Sequence, residues 1–246
     1  MRIFGSETFV AGTVPRSGLL VCNHLSYLDI LVIAALTPSR FVAKSEVRRW
    51  PVFGCFARLA GTIFVDRTKR SQTAQAAEQV AGALREGTLV ILFPEGTSSG
   101  GETVLPFKSS LLEPAASNPH ALTAASISYE VDDGDVSEEV CYWKDMTLVP
   151  HLVNLLSKHR VHAELRFVEI PQQTTDRKIL ARQLHSQVVR LKAATYPLVG
   201  SSESTHMESL IPLTKADGLS LPQGPHTVSK NVSKGVGKVL GQVVAV

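Results

Sequence analysis

His24 and Asp29 stand five positions apart in Asn23-His24-Leu25-Ser26-Tyr27-Leu28-Asp29, directly behind the apolar run Gly18–Cys22. A neutral imidazole can take a proton near pH 7, because the ordinary histidine pKa is about 6.5. A carboxylate against the ring would fix its tautomer and stabilise the imidazolium that forms. Five residues along a continuous helix amount to about 140° of rotation, so on one helix the two side chains would diverge. The pair therefore needs His24 in a turn and Asp29 folded back onto it. The competing reading is a helix start near Tyr27, capped by Ser26 or Asn23, with Asp29 favoured by the positive helix N-terminus. Among the 8 histidines and 8 aspartates of this chain, one such spacing arises by chance about one time in four, so spacing alone does not decide.

Two other stretches carry groups of the same kind. Phe93-Pro94-Glu95-Gly96-Thr97-Ser98 follows the apolar run Thr88–Phe93. It puts a carboxylate and a glycine where backbone N–H groups can receive an anion or a developing oxyanion; the alternative is a plain turn. Gly61–Arg67 ends in an arginine, whose guanidinium can grip phosphate in a fork or pair with Asp66. Cys22, two positions before His24, is either a small buried residue or a nucleophile activated by it.

Positioning these groups requires strand ends at a common edge. Apolar runs without strict alternation, as in strands buried on both faces, occur at Thr8–Val14, Leu19–Cys22, Arg40–Ala43, Thr62–Asp66, Thr88–Phe93 and Leu122–Tyr129. Val161–Ile170 alternates more and suits an edge or antiparallel strand. Helical patterns fall between them at Tyr27–Leu36, Trp50–Leu59, Ser71–Arg85, Thr147–Lys158 and Asp176–Lys192. This alternation predicts an α/β fold, a largely parallel mixed sheet flanked by helices on both faces. In such sheets ligands bind beyond the carboxyl ends of the strands, where the His24 and Glu95 stretches follow a strand and Arg67 closes one. Residues 1–193 read as one domain. Residues 194–246 read as a low-complexity, disordered tail, with little periodicity in Val199–Thr205 and three glycines in the final Lys/Val-rich stretch.

The 246 residues carry a formal charge of +3 and 44% hydrophobic residues, an ordinary globular composition. The charge suits an anionic lipid or a phosphorylated substrate and is too small to argue for nucleic acid. No zinc-spaced Cys/His set is present, and three unframed cysteines suit a reducing compartment. No window approaches the roughly 20 apolar residues of a membrane span, and no signal peptide is evident. Trp50–Phe56, behind Arg48 and Arg49, could line an acyl tunnel, dip into lipid, or be a core helix.

In order and separation, NHLSYLD, GTIFVDR and FPEGTSS resemble the lysophosphatidic acid acyltransferase family, over roughly Gly18 to Tyr129. The resemblance implies transfer of a fatty acyl group from acyl-CoA or acyl-carrier protein to the free hydroxyl of a lysophospholipid, lysophosphatidic acid by default. It implies His24 as the base and Asp29 as its orienting partner, with Arg67, Glu95, Gly96 and Thr97 on the acceptor side; Asn23 and Lys108 are further substrate-side candidates. No metal or cofactor is implied beyond the acyl thioester. The expected setting is peripheral, on the cytoplasmic face of a membrane. Three departures stand out. Ser98 replaces the arginine usual after F-P-E-G-T, Ser110 replaces a glycine, and Leu122–Ile127 lacks the family's proline. The family's usual N-terminal membrane-associating helices have no counterpart in this sequence. Loss of the cation leaves room for a non-phosphate acceptor such as a lyso-ornithine lipid. A non-catalytic lipid-binding relative and hydrolysis of acyl-CoA by water are the remaining alternatives.

Overall fold

The structure is a computed structural model and describes residues 5–50, 53–66, 70–117, 120–171 and 174–194. Arg67 and nearly all of the expected tail lie outside these residues. Among them, seven strands form one sheet: β1 (Gly5–Ala11), β2 (Gly18–Cys22), β3 (Arg40–Lys44), β4 (Ile63–Val65), β5 (Leu89–Leu92), β6 (Leu122–Val131) and β7 (Arg160–Glu169). Their order is β1-β7-β6-β2-β5-β3-β4. The five strands from β6 to β4 run parallel. β7 lies antiparallel to β6, and β1 pairs parallel with β7. The alternation read in β7 thus marks an antiparallel strand in the sheet interior. Ala163, Leu165 and Phe167 enter one core while Glu164 and Arg166, which form an ion pair, face the other way.

The helices divide between the two faces. α1 (Leu28–Leu36) and α6 (Leu148–Ser157) cover one core, into which Leu20, Cys22, Ile91, Phe93 and Ile127 point. α3 (Arg70–Arg85), α4 (Glu113–Ser117) and α7 (Arg177–Ala193) cover the other, around Leu19, Val21, Val90, Leu92 and Ala124. Alternate residues of β2 and β5 therefore feed opposite cores, which is why these strands read as unbroken apolar runs. α7 buries Leu180, Leu184 and Val188, one helical face. Its start is fixed by Asp176, whose carboxylate accepts from the N–H groups of Lys178 (2.6 Å) and Ile179 (3.1 Å).

β1 begins and ends three residues earlier than its apolar pattern suggests. Gly12 adopts φ +87°, and a Cβ there would lie 2.2 Å from the Phe167 carbonyl oxygen. The chain turns out of the sheet at that close approach. α2 is described over Phe53–Leu59, residues 51 and 52 of the expected Trp50–Leu59 lying outside the described residues, and before it Ser45–Arg49 makes a 3₁₀ turn closed by Trp50. Two short helices, α4 and α5 (Val136–Glu139), were not expected.

Candidate active site

β2 and β5 are parallel neighbours, so Cys22 and Leu92 end at the same edge and the loops behind them meet. The His24 N–H donates to Glu95 Oε1 at 2.9 Å, and the Ser99 N–H donates to the His24 carbonyl at 3.0 Å. The His24 ring stacks on Phe93 with centroids 4.3 Å apart. These contacts hold the imidazole at the mouth of the edge, where its side chain keeps 21% of its exposure.

Asp29 is fully buried in the first turn of α1. Its Oδ2 receives His24 Nδ1 at 2.7 Å, the Leu25 N–H at 2.7 Å and the Ser26 N–H at 3.1 Å. Its Oδ1 accepts from the Tyr129 hydroxyl at 2.7 Å. A carboxylate only accepts, so the proton of the His24 ring is on Nδ1 and Nε2 carries the lone pair. Nε2 has no hydrogen-bond partner among the described residues. The helix-start reading and the dyad reading thus converge on one side chain. Asp29 receives the N–H groups at the helix entrance and the imidazole together. Ser26 Oγ is buried without a partner, and the N-cap residue, Tyr27, makes no side-chain capping bond.

Asn23 continues the sheet beyond β2 with its side chain. Its Nδ2 donates to the Ile127 carbonyl (2.9 Å) and its Oδ1 accepts from the Ile127 N–H (2.8 Å). An amide side chain completing a backbone rung lets the main chain leave the sheet at His24 without orphaning Ile127. Glu95 is also engaged by backbone, with Oε2 accepting from the Leu105 N–H at 3.1 Å. Burial pushes its carboxyl up to about 7, opposed by the His24 and Leu105 N–H groups. Gly96 takes φ +76°, and its N–H is taken by the Phe93 carbonyl at 3.2 Å, closing the turn. That N–H is therefore not the anion donor anticipated near Gly96. The Thr97 and Ser98 N–H groups, by contrast, have no hydrogen-bond partner among the described residues. Thr97 is exposed, as is Lys108, whose N–H donates to the Pro94 carbonyl at 2.9 Å. The Ser98 hydroxyl donates to the Tyr142 carbonyl, and the Tyr142 N–H donates to the Leu25 carbonyl at 2.8 Å. The segment after α5 thus ties both motif loops together. His151 sits under it as a core residue, donating from Nε2 to the Cys141 carbonyl (3.0 Å) and accepting the Tyr27 hydroxyl at Nδ1 (3.0 Å).

Cys22 is a poor nucleophile. It is fully buried, and desolvation followed by the nearby Asp29 and Glu95 charges pushes its thiol well above the usual range. Cys22→Ala is expected to keep turnover within about threefold of wild type, with no acyl-protein formed from labelled acyl donor alone. A stable adduct lost in the variant would reverse this assignment. Among the described residues, no group of three His, Cys, Asp or Glu side chains is arranged to hold a metal ion.

A family model described as Acyltransferase matches residues 7–129, from within β1 to Tyr129 of β6. The lyso-ornithine lipid O-acyltransferase of Brucella abortus (strain 2308) is 37% identical over 76% of this chain and 76% of its own length. The 1-acyl-sn-glycerol-3-phosphate acyltransferase of Neisseria gonorrhoeae is 33% identical over 54% of this chain and 56% of its own. The crystal structure of the 1-acyl-sn-glycerophosphate (LPA) acyltransferase PlsC from Thermotoga maritima shares the fold. It has a TM-score of 0.55 at 23% identity and covers 78% of this chain and 74% of that one. The α/β fold is what that solved structure shares with the present chain. The chain belongs to the Acyltransferase family and is an acyltransferase.

Proposed function

We propose that this acyltransferase moves a fatty acyl group from an acyl-CoA or acyl-carrier-protein thioester to the hydroxyl of a lyso-lipid, with a lyso-ornithine lipid as its acceptor. The observation that carries the mechanism is the open Nε2 of His24 behind an Asp29-bound Nδ1. As the acceptor oxygen attacks the thioester carbonyl, its proton passes to Nε2. Collapse of the tetrahedral intermediate breaks the C–S bond, and the proton leaves with the thiolate as a thiol. Asp29 steadies the imidazolium between these steps. The Thr97 and Ser98 N–H groups, unpaired among the described residues, are the backbone donors this loop offers to an anion or a developing oxyanion. A thioester is already activated, so this sequence of steps calls for no metal or cofactor.

The acceptor assignment rests on Ser98. Its hydroxyl is tied to the Tyr142 carbonyl at the position where members of the family commonly carry an arginine. Removing that cation weakens the case for a phosphate headgroup. The Brucella relative, similar over three quarters of the chain, is named for a phosphate-free acceptor. Lysophosphatidic acid remains the second reading, favoured by the Neisseria relative, with Arg67 and Lys108 as phosphate partners. A panel of lyso-ornithine lipid, lysophosphatidic acid and other lyso-lipids, each offered with acyl-CoA and with acyl-carrier protein, tests the assignment. Lyso-ornithine lipid is expected to give a kcat/KM at least tenfold above lysophosphatidic acid, a discrimination of about 1.4 kcal/mol. The reverse order would assign the phosphate acceptor, and binding without turnover would make the chain a non-catalytic relative.

The proposed setting is peripheral, on the cytoplasmic face of a membrane. Phe56 and Leu59 of α2 are 41% and 56% exposed beside the exposed Arg48, Arg49 and Arg58, a combination suited to an anionic bilayer surface. Trp50 meets Tyr142 edge-on at 6.0 Å, so this lobe borders the loop that holds His24. No helix among the described residues is long and apolar enough to cross a membrane.

A further inference from the structure

The geometry points to Tyr129 as a positioning residue for the reaction, the far end of a relay from His24 through Asp29. Tyr129 lies on β6, a hundred residues from Asp29, and its hydroxyl donates to Asp29 Oδ1 at 2.7 Å in a fully enclosed contact. The division of labour between the two carboxylate oxygens is complete. Oδ2 takes His24 Nδ1 and the Leu25 and Ser26 N–H groups, and Oδ1 takes Tyr129.

The Asp29 side chain can turn about its Cβ–Cγ bond, which moves both oxygens together, and Tyr129 on Oδ1 opposes that turn alongside the three contacts on Oδ2. Its ring is packed in the core beneath α1 and α6, and the strand carrying it is paired with β2 and β7 on either side. Two residues earlier on the same strand, Ile127 pairs through its backbone with Asn23. Both ends of the His24 turn are thus referenced to β6, Asn23 on one side and Asp29 on the other. Tyr129 itself stays protonated. Burial first, then the Asp29 charge and the hydrogen bond to it, push its hydroxyl well above the usual phenol range. It therefore acts as a fixed donor and takes no part in proton transfer.

The inference rests on reading His24 as the base, and the experiment separates the two. Wild type, Tyr129→Phe, Asp29→Asn, the double variant and His24→Ala are compared in acyl transfer. Tyr129→Phe is expected to lower kcat about ten- to a hundredfold, the cost of losing one hydrogen bond to a charged group, with both KM values unchanged. In the Asp29→Asn background the same change is expected to have at most about a twofold effect, because the group it acts through is already lost. In ¹⁵N-histidine NMR, the Nδ1–H signal of His24 is expected to lose definition in Tyr129→Phe. A kcat within twofold of wild type, or an equal loss in both backgrounds, overturns the inference. If Tyr129→Phe does not fold, Asp29→Asn against the double variant decides: equal rates support the relay, and a slower double variant refutes it. Undiminished turnover in His24→Ala refutes the base itself, whatever Tyr129 does.

Discussion

His24→Ala is expected to lower acyl transfer by about 10²–10⁴, the usual worth of a positioned general base, while thermal unfolding stays near wild type. The second half of this expectation follows from which atoms of His24 the fold uses. Glu95 and Ser99 bind its backbone N–H and carbonyl, and neither contact needs the imidazole. The ring contributes a stack on Phe93 and one donor to a carboxylate that keeps three others. Steady-state transfer from labelled acyl donor, with a melting curve on the same preparation, measures both. A correctly folded variant with undiminished turnover removes His24 from the mechanism.

Asp29→Ala is expected to lose transfer as well and to be less stable than His24→Ala. The same transfer rate is lost because the imidazole has no fixed tautomer and its cation no counter-charge. Stability falls as well, since two backbone N–H groups and the Tyr129 hydroxyl lose their acceptor in a fully buried place. Each orphaned donor costs about 1–3 kcal/mol, so a loss on the order of 3 kcal/mol or more is expected. Asp29→Asn keeps one accepting oxygen. It should be as inactive as the alanine variant but less destabilised. Chemical denaturation of both variants beside the activity assay gives the comparison; equal stability of alanine variant and wild type would mean that water replaces the carboxylate.

The sheet was readable from sequence because each strand announces itself locally, through runs such as Leu89–Leu92 that feed two cores. α7 was readable for the same reason, from its spacing of Leu180, Leu184 and Val188 behind Asp176. The His24–Asp29 pair was legible as a possibility. The fold decided it by placing His24 in the turn rather than on the helix. What the sequence could not display was pairing at a distance. Asn23 and Ile127, or Asp29 and Tyr129, lie about a hundred residues apart, and only the register of β6 against β2 brings them together. The family resemblance puts Glu95 on the substrate side; its contacts with the His24 and Leu105 N–H groups could not be foreseen, because backbone donors carry no sequence signature. α4 and α5, five and four residues long, are too short to show a period.

The side-chain rung between Asn23 and Ile127 has a consequence for how such a site can change. It fastens the proton-handling turn to the sheet, independently of the 94–108 loop. That loop meets the turn through two backbone groups of His24, its N–H on Glu95 and its carbonyl on the Ser99 N–H. Between those two attachments lie Gly96, Thr97 and Ser98, and of these Ser98 ties back to the turn, through the Tyr142 carbonyl and the Tyr142 N–H on Leu25. The turn also has its own anchors, the rung on Ile127 and the Asp29 contacts on Leu25 and Ser26. Under the proposed acceptor, a serine in place of a cation would change what is recognised while those anchors keep the proton-taking nitrogen in place.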